Sequence, residues 1–303
     1  MNRLRAGFCK MVNPYNGKGI RISLKIENVD GIIFWTKNVG PFLKYLSEVK
    51  HRGFPFLLQY TINGYPRTLE QAVVDAPKAV DYLKKVADEF GPRVCIWRYD
   101  TIVNTSLTPR EFHINNFTRL AKALEGATDE VVISFAYFYQ KTLRNMKIIS
   151  TISGFTWSDP DDEWKRCLAA ELAQVAAAYQ IRLSICSQPK FLALGCAEAR
   201  CVDAVRLSDV AGRLIKARLK GNRNNCGCYE SRDIGEYDTC PHGCIYCYAV
   251  QNRELAKSRY RQHDPTSESL FPIPRNGKEP SIYSKQLDLL NDTNEKNDLF
   301  VIK

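Results

Sequence analysis

Long apolar runs are missing from this chain of 303 residues. No stretch stays apolar long enough to cross a bilayer, so no membrane role is expected. No apolar segment follows basic residues near the first residue, so no signal peptide is expected. The expected setting is the cytoplasm, where thiols stay reduced. A glycine-rich phosphate loop is also lacking, which argues against a dinucleotide-binding sheet. There is no internal repeat beyond alternating strand and helix, and no low-complexity run. Basic residues outnumber acidic ones, 43 to 33, for a net charge of +10. They are nevertheless scattered, with one modest cluster at Arg213, Lys216, Arg218, Lys220 and Arg223 and no aromatic-interleaved basic stripe. A solvated surface is the plainer reading of that charge. Nucleic acid, an anionic cofactor or an acidic partner are the alternatives.

What the chain does have is apolar content and cysteine. With 45% hydrophobic residues it can bury a large core, in one α/β domain plus an appendage. Eleven cysteines, an odd number in an expected reducing setting, favour metal ligation over disulfides.

Along the chain, residues 1–12 read as the tail of a helix, and Ile20, Ile22, Leu24 and Ile26 alternate as in a strand. Strand and helix then repeat. Strands are expected at 31–36, 56–62, 93–99, 131–138 and 182–186. Helices are expected at 41–52, 69–90, 109–124, 160–179 and 207–219. Thr108 followed by Pro109 is a helix-start signal. Such alternation means βαβ units and a parallel sheet. The expectation is a complete or partial TIM-like (β/α) barrel over 1–220, an iron–sulfur cysteine segment over 221–270, with a helix at 249–258, and a mobile tail over 271–303.

A barrel of this kind keeps its site at the C-terminal ends of its strands. Gln59, Thr61 and Asn63 share one strand face, and so do Arg98 and Asp100. Thr36, Lys37 and Asn38 end the first strand; Ser187 and Gln188 end the last. Gln59, Asn63, Arg98 and Asp100 are the pocket candidates. Each could instead be a satisfied core or barrel-mouth residue.

The most informative stretch is Asp238-Thr239-Cys240-Pro241-His242-Gly243-Cys244-Ile245-Tyr246-Cys247-Tyr248. Cys240, Cys244 and Cys247 follow Cys-x3-Cys-x2-Cys. Soft thiolates select iron–sulfur clusters, zinc or copper(I). Three close cysteines leave one iron of a four-iron cluster without a protein ligand. A zinc knuckle is the structural alternative, although zinc sites more often use Cys-x2-Cys pairs. Cys226 and Cys228 are candidate ligands for a second cluster or for closing the first; Cys186, Cys196 and Cys201 could join them. Cys9, Cys95 and Cys167 read as small buried hydrophobes. His242 either bonds a sulfur or substrate or faces solvent.

The loop, with its aromatic before the last cysteine, resembles the cluster loop of radical S-adenosylmethionine (SAM) enzymes, and most of all that of spore photoproduct lyase. The resemblance implies a 4Fe–4S cluster on Cys240, Cys244 and Cys247, SAM on the open iron, and a reductant such as flavodoxin or ferredoxin. More broadly, the chain resembles an uncharacterised bacterial domain-of-unknown-function family over residues 1–270. That likeness rests on Ile33-Phe34-Trp35-Thr36-Lys37-Asn38, Trp97-Arg98-Tyr99-Asp100, Val132-Ile133-Ser134-Phe135 and the run from Cys226 to Ala249. Two departures stand out. Family members begin with an upstream strand bearing Arg-Arg-Thr-Asp, which this sequence lacks, so a truncated form is expected. Radical SAM enzymes place the cluster loop before most of the barrel and carry a Gly-Gly-Glu segment for the SAM amino group; here the loop comes last and that segment is absent. The leading expectation is a radical SAM-like iron–sulfur protein acting on an unidentified small molecule. The rivals are an electron-transfer or structural iron–sulfur or zinc protein, and a nucleic-acid lesion repair protein.

Overall fold

The computed structural model describes residues 1–12, 19–221, 224–270 and 298–302. In chain order the elements are α1 (Asn2–Ala6), β1 (Phe8–Val12), β2 (Gly19–Ser23), β3 (Val29–Thr36), α2 (Leu43–His51), β4 (Phe56–Thr61), α3 (Ala76–Phe90), β5 (Cys95–Ile102) and β6 (Asn104–Thr105). They continue with α4 (Arg110–Leu124), β7 (Glu130–Phe135), α5 (Gln140–Ser153), β8 (Trp157–Ser158), α6 (Asp162–Ala178), β9 (Arg182–Ile185), β10 (Cys196–Glu198), α7 (Ala204–Ala211), β11 (Arg232–Asp233), α8 (Arg253–Gln262) and β12 (Asp298–Ile302).

Strands β3, β4, β5, β7, β9 and β10 lie side by side in that order, all parallel. The backbone of β12 extends the sheet beyond β3, and β11 pairs with β12. The expected α/β class with a parallel sheet is therefore present. Among the described strands the order is that of an open sheet ending at β10 and β11. Hairpin β1–β2 and the short pair β6–β8 are antiparallel additions.

Alternation along each strand sorts the core into two layers. Ile32, Leu58, Trp97 and Ile133 pack with Leu46 of α2, Leu83 of α3, Leu120 of α4 and Leu172 of α6. Their neighbours Ile33, Leu57, Ile96 and Val132 face the other way. There they meet Leu207 of α7 with Cys186, Cys201, Ile215 and Cys228. Each of these fully buried aliphatic side chains contributes about 1.5–3 kcal/mol.

At the N-terminal end of the sheet, Arg206 of α7 is almost wholly buried. It bonds Glu130 Oε2 at 3.0 Å, the Cys95 carbonyl at 3.0 Å and the Arg93 carbonyl at 2.9 Å, and it pairs with Asp129. Glu130 also accepts from Ser184 Oγ at 2.6 Å.

Several boundaries differ from the sequence reading. The helix expected from residue 69 begins only at Ala76, with Pro77 in its first turn. Proline is tolerated there but breaks a helix interior, so 69–75 cannot continue the helix. The helix expected over 207–219 ends at Ala211, because Gly212 takes a left-handed conformation. The helix expected at 249–258 starts at Arg253 behind an Asn252 cap, and α6 is capped by Asp161. Helix α5 had no expectation. Only five residues at the start are helical before β1 begins. Of the expected tail, 271–297 and 303 lie outside the described residues, as do Asn222 of the cysteine segment and Arg223 of the basic cluster; 298–302 form β12.

Candidate metal centre

The cysteine loop sits at the C-terminal ends of β3 and β4. Ala72 N–H donates to the His242 carbonyl at 2.9 Å, and Ile245 N–H donates to the Leu69 carbonyl at 3.1 Å. Ile245 and Tyr246, inside the cysteine motif, are buried in the main core. The Tyr246 ring meets Tyr65 edge-on at 5.9 Å. The neck of the loop is closed by Asp238, whose carboxylate accepts from Gln251 N–H and Asn252 N–H at 2.5 and 3.1 Å. Within the loop Gly243 has φ +67°, and a Cβ there would lie 2.4 Å from Arg253 Nη2. Arg253 Nη2 itself donates to the Gly243 carbonyl at 2.7 Å. Only glycine meets both demands at this turn.

A polar network joins the loop to the strand ends. Lys37 Nζ donates to Glu70 Oε1 at 2.8 Å and to Tyr246 Oη at 3.3 Å. Asn63 Nδ2 donates to Tyr246 Oη at 3.0 Å, to Glu70 Oε1 at 3.1 Å and to the Asp100 carbonyl at 3.1 Å. The Tyr246 hydroxyl donates to Glu70. Burial works against the Lys37 charge, but Glu70 and Cys244 outweigh it and push the ammonium up to about 12. Lys37 also acts on Cys240 and His242, so it is a cation shared by the whole loop.

Burial raises the Cys244 thiol well above its ordinary range, and Lys37 opposes that rise. Burial, helped by Lys37, lowers His242 to about 4. Among the described residues both ring nitrogens of His242 are buried without a hydrogen-bond partner, and so is Asn63 Oδ1. Buried polar atoms are nearly always satisfied, so these point to a missing polar partner. Among the described residues no group of three or more His, Cys, Asp or Glu side chains is gathered closely enough to hold a metal ion. The donor set nonetheless suits a thiophilic group: Cys240, Cys244 and Cys247 interact with one another, with a buried cation beside them.

The four pocket candidates divide. Asn63 belongs to the loop network. Arg98 is fully engaged: it bonds Asp100 Oδ1 and Gln59 Oε1 at 3.0 Å each, donates to Cys201 Sγ at 3.0 Å, and lies 4.2 Å from the Trp35 ring centre. Gln59 Nε2 donates to the Cys201 carbonyl at 2.9 Å. Asp100 touches both groups, through its side chain to Arg98 and its carbonyl to Asn63. Cys226 and Cys228 meet each other, and Cys228 meets Cys201. Gln188 is tied to the Phe135 backbone at 2.8 and 3.0 Å. Arg218 and Lys220 of the basic cluster pair with Glu230.

Sequence reasoning missed Glu70 entirely. Helical periodicity runs through it, but Pro77 forbids that helix and Glu70 lies on the loop after β4. Lys37 was noted as a strand-end residue but not as the partner of the cysteines. No helix among the described residues is long and apolar enough to cross a membrane.

No curated protein matches the chain. The chain belongs to the family described as a domain of unknown function (DUF1848), whose model matches residues 1–249. The match runs through all three loop cysteines.

Proposed function

Taking that membership as the premise, we propose that the chain holds a 4Fe–4S cluster on Cys240, Cys244 and Cys247 and works as a radical SAM-type enzyme on a small molecule. The reading includes a partial (β/α) barrel. Its support is that the six parallel strands follow sequence order, which keeps the crossover helices on one face and leaves the other face to α7. The observation that carries the site is the docking of the loop, through Tyr246, onto Lys37, Glu70 and Asn63 at the strand ends. That is where parallel α/β folds keep their chemistry.

When bound, the cluster would supply one-electron chemistry at an iron open to SAM. The chain's own residues set the surroundings. Lys37 offsets the negative charge of the three thiolates. Ile245, Tyr246 and Tyr65 keep water from the inner side of the loop. The two unpartnered His242 nitrogens offer one donor and one acceptor to a polar ligand. Asn63 Oδ1 offers a buried acceptor for an ammonium, a role that matters in a chain without a Gly-Gly-Glu segment. The same reading puts the protein in the cytoplasm, with a flavodoxin- or ferredoxin-type reductant.

Low-temperature EPR of the anaerobically reconstituted, reduced chain tests this, recorded with and without SAM. A four-iron signal that shifts with SAM, with 5′-deoxyadenosine formed, is the expected result. A four-iron signal indifferent to SAM means a closed or electron-transfer cluster and overturns the enzymatic part. Loop-bound zinc without iron overturns the cluster.

A further inference from the structure

A second group of cysteines lies on the other face of the sheet. Cys186 follows β9, Cys201 follows β10, and Cys226 and Cys228 come from a later segment. Cys186 Sγ and Cys201 Sγ are 3.4 Å apart. Cys228, whose sulfur accepts from Val202 N–H at 3.4 Å, lies within electrostatic reach of both Cys201 and Cys226. The four sulfurs thus form an unbroken row, drawn from three stretches of chain that meet only in the folded protein. Cys186, Cys201 and Cys228 are each at most 4% exposed.

The surrounding backbone is pinned to hold them there. Tyr229 N–H donates to the Val202 carbonyl at 3.0 Å, and Lys220 N–H to the Cys228 carbonyl at 3.0 Å. Gly221 passes so close that a Cβ would lie 2.2 Å from the Cys226 carbonyl oxygen. Two N–H groups already point at sulfur: Arg98 Nη1 at 3.0 Å from Cys201, and Val202 N–H at 3.4 Å from Cys228. Such donors stabilise thiolates around a metal. Arg98, paired with Asp100 through Nε and Nη2, turns its remaining nitrogen to the sulfur.

We propose that Cys186, Cys201, Cys226 and Cys228 form a tetrathiolate site for a single zinc ion, with Arg98 as its positioning residue. Four sulfurs at about 2.3 Å from one ion stand about 3.8 Å apart. The Cys186–Cys201 pair is already near that spacing, and a four-iron cube would hold its thiolates farther apart. As the chain stands the sulfurs lie in a row and surround no common point. The site is independent of the loop: it sits on the inner face and uses none of Cys240, Cys244 and Cys247.

The test uses the full chain carrying Cys240→Ala, Cys244→Ala and Cys247→Ala together, so failure of the loop cluster cannot disguise the result. Elemental analysis should find about one zinc per chain. Replacement by Co(II) should give the intense visible bands of tetrahedral cobalt thiolate. Adding Cys226→Ser should shift those bands towards a mixed sulfur–oxygen set. Arg98→Gln, measured by competition with a chelator, should weaken binding about 10–100-fold while leaving the four-sulfur spectrum in place. Absence of bound metal, iron with inorganic sulfide in its place, or a Cys186–Cys201 disulfide found by mass spectrometry of the freshly isolated chain would each overturn the proposal.

Discussion

The two ends of the parallel sheet are built from similar ionic parts and finish them differently. At the N-terminal end Arg206 places all three of its guanidinium nitrogens on partners, and Glu130 has both oxygens engaged. At the C-terminal end Lys37, Glu70, Asn63 and Tyr246 form a largely buried network, yet His242 and Asn63 keep three polar atoms with no partner among the described residues. A buried polar atom without a partner costs about 1–3 kcal/mol. Strain and unmet bonds of this sort collect where a fold serves a ligand, and complete pairing marks an end that serves stability.

Substitutions can break that contrast. Arg206→Ala would take from Glu130 its buried cation and from the Cys95 and Arg93 carbonyls their donor, leaving Glu130 with Ser184 and the exposed Arg182 and Asp129 with Arg93; it should cost about 3–5 kcal/mol, read from the urea midpoint. It should leave iron loading per folded molecule unchanged. A cost below about 1 kcal/mol would remove the N-terminal half of the comparison. Glu70→Gln should cost less, about 1–3 kcal/mol, because only part of the Lys37 network is lost. It should lower iron per folded chain after reconstitution; intact iron content would show that the network does not serve the loop.

Gly243→Ala forces a side chain into the left-handed region and against Arg253. About 1–2 kcal/mol of strain is expected, confined to the loop. Hydrogen exchange at 238–251 should quicken while the strands stay protected, and uniform loosening would contradict a separable loop. The smallest effect sharpens the contrast through pH. Burial holds His113, bonded to Tyr99 Oη at 3.0 Å, neutral with its pKa pushed down to about 4. The unfolded chain takes the proton first, so this stability is whole above about pH 6.5 and is lost as pH falls towards 4. His113→Gln should flatten that part of the curve in the metal-free chain. His242 is lowered in the same direction, also by burial, so the loop adds to the acid sensitivity of the same pH window.

Strand positions were legible because apolar runs such as Gly31–Phe34 and Phe56–Leu58 are buried on both faces and need no tertiary context to be seen. Alternation puts Arg98 and Asp100 on one face of their strand, and the two do touch; the contact of Arg98 with Gln59 crosses to a neighbouring strand and is not legible from either strand alone. Their role was not legible. Trp35 and Cys201, which occupy Arg98, come from distant parts of the chain, and only folding brings them near. The cysteine spacing drew attention to the loop, but the spacing says nothing of what the loop lies against. Glu70 illustrates the limit: helical periodicity continued through it, and a single proline seven residues on carried the contrary signal.

The position of Tyr246 between two loop cysteines has a consequence for biosynthesis. On the ribosome the partners of Tyr246, at 37, 63 and 70, emerge long before the cysteines do, and domains tend to form from the first residues synthesised. The last part of the motif to be made therefore meets a receptacle already assembled from the first. A metal-loading factor would encounter thiols held against a finished surface, and of the strands beside β3 only β12 is still to be added at that moment.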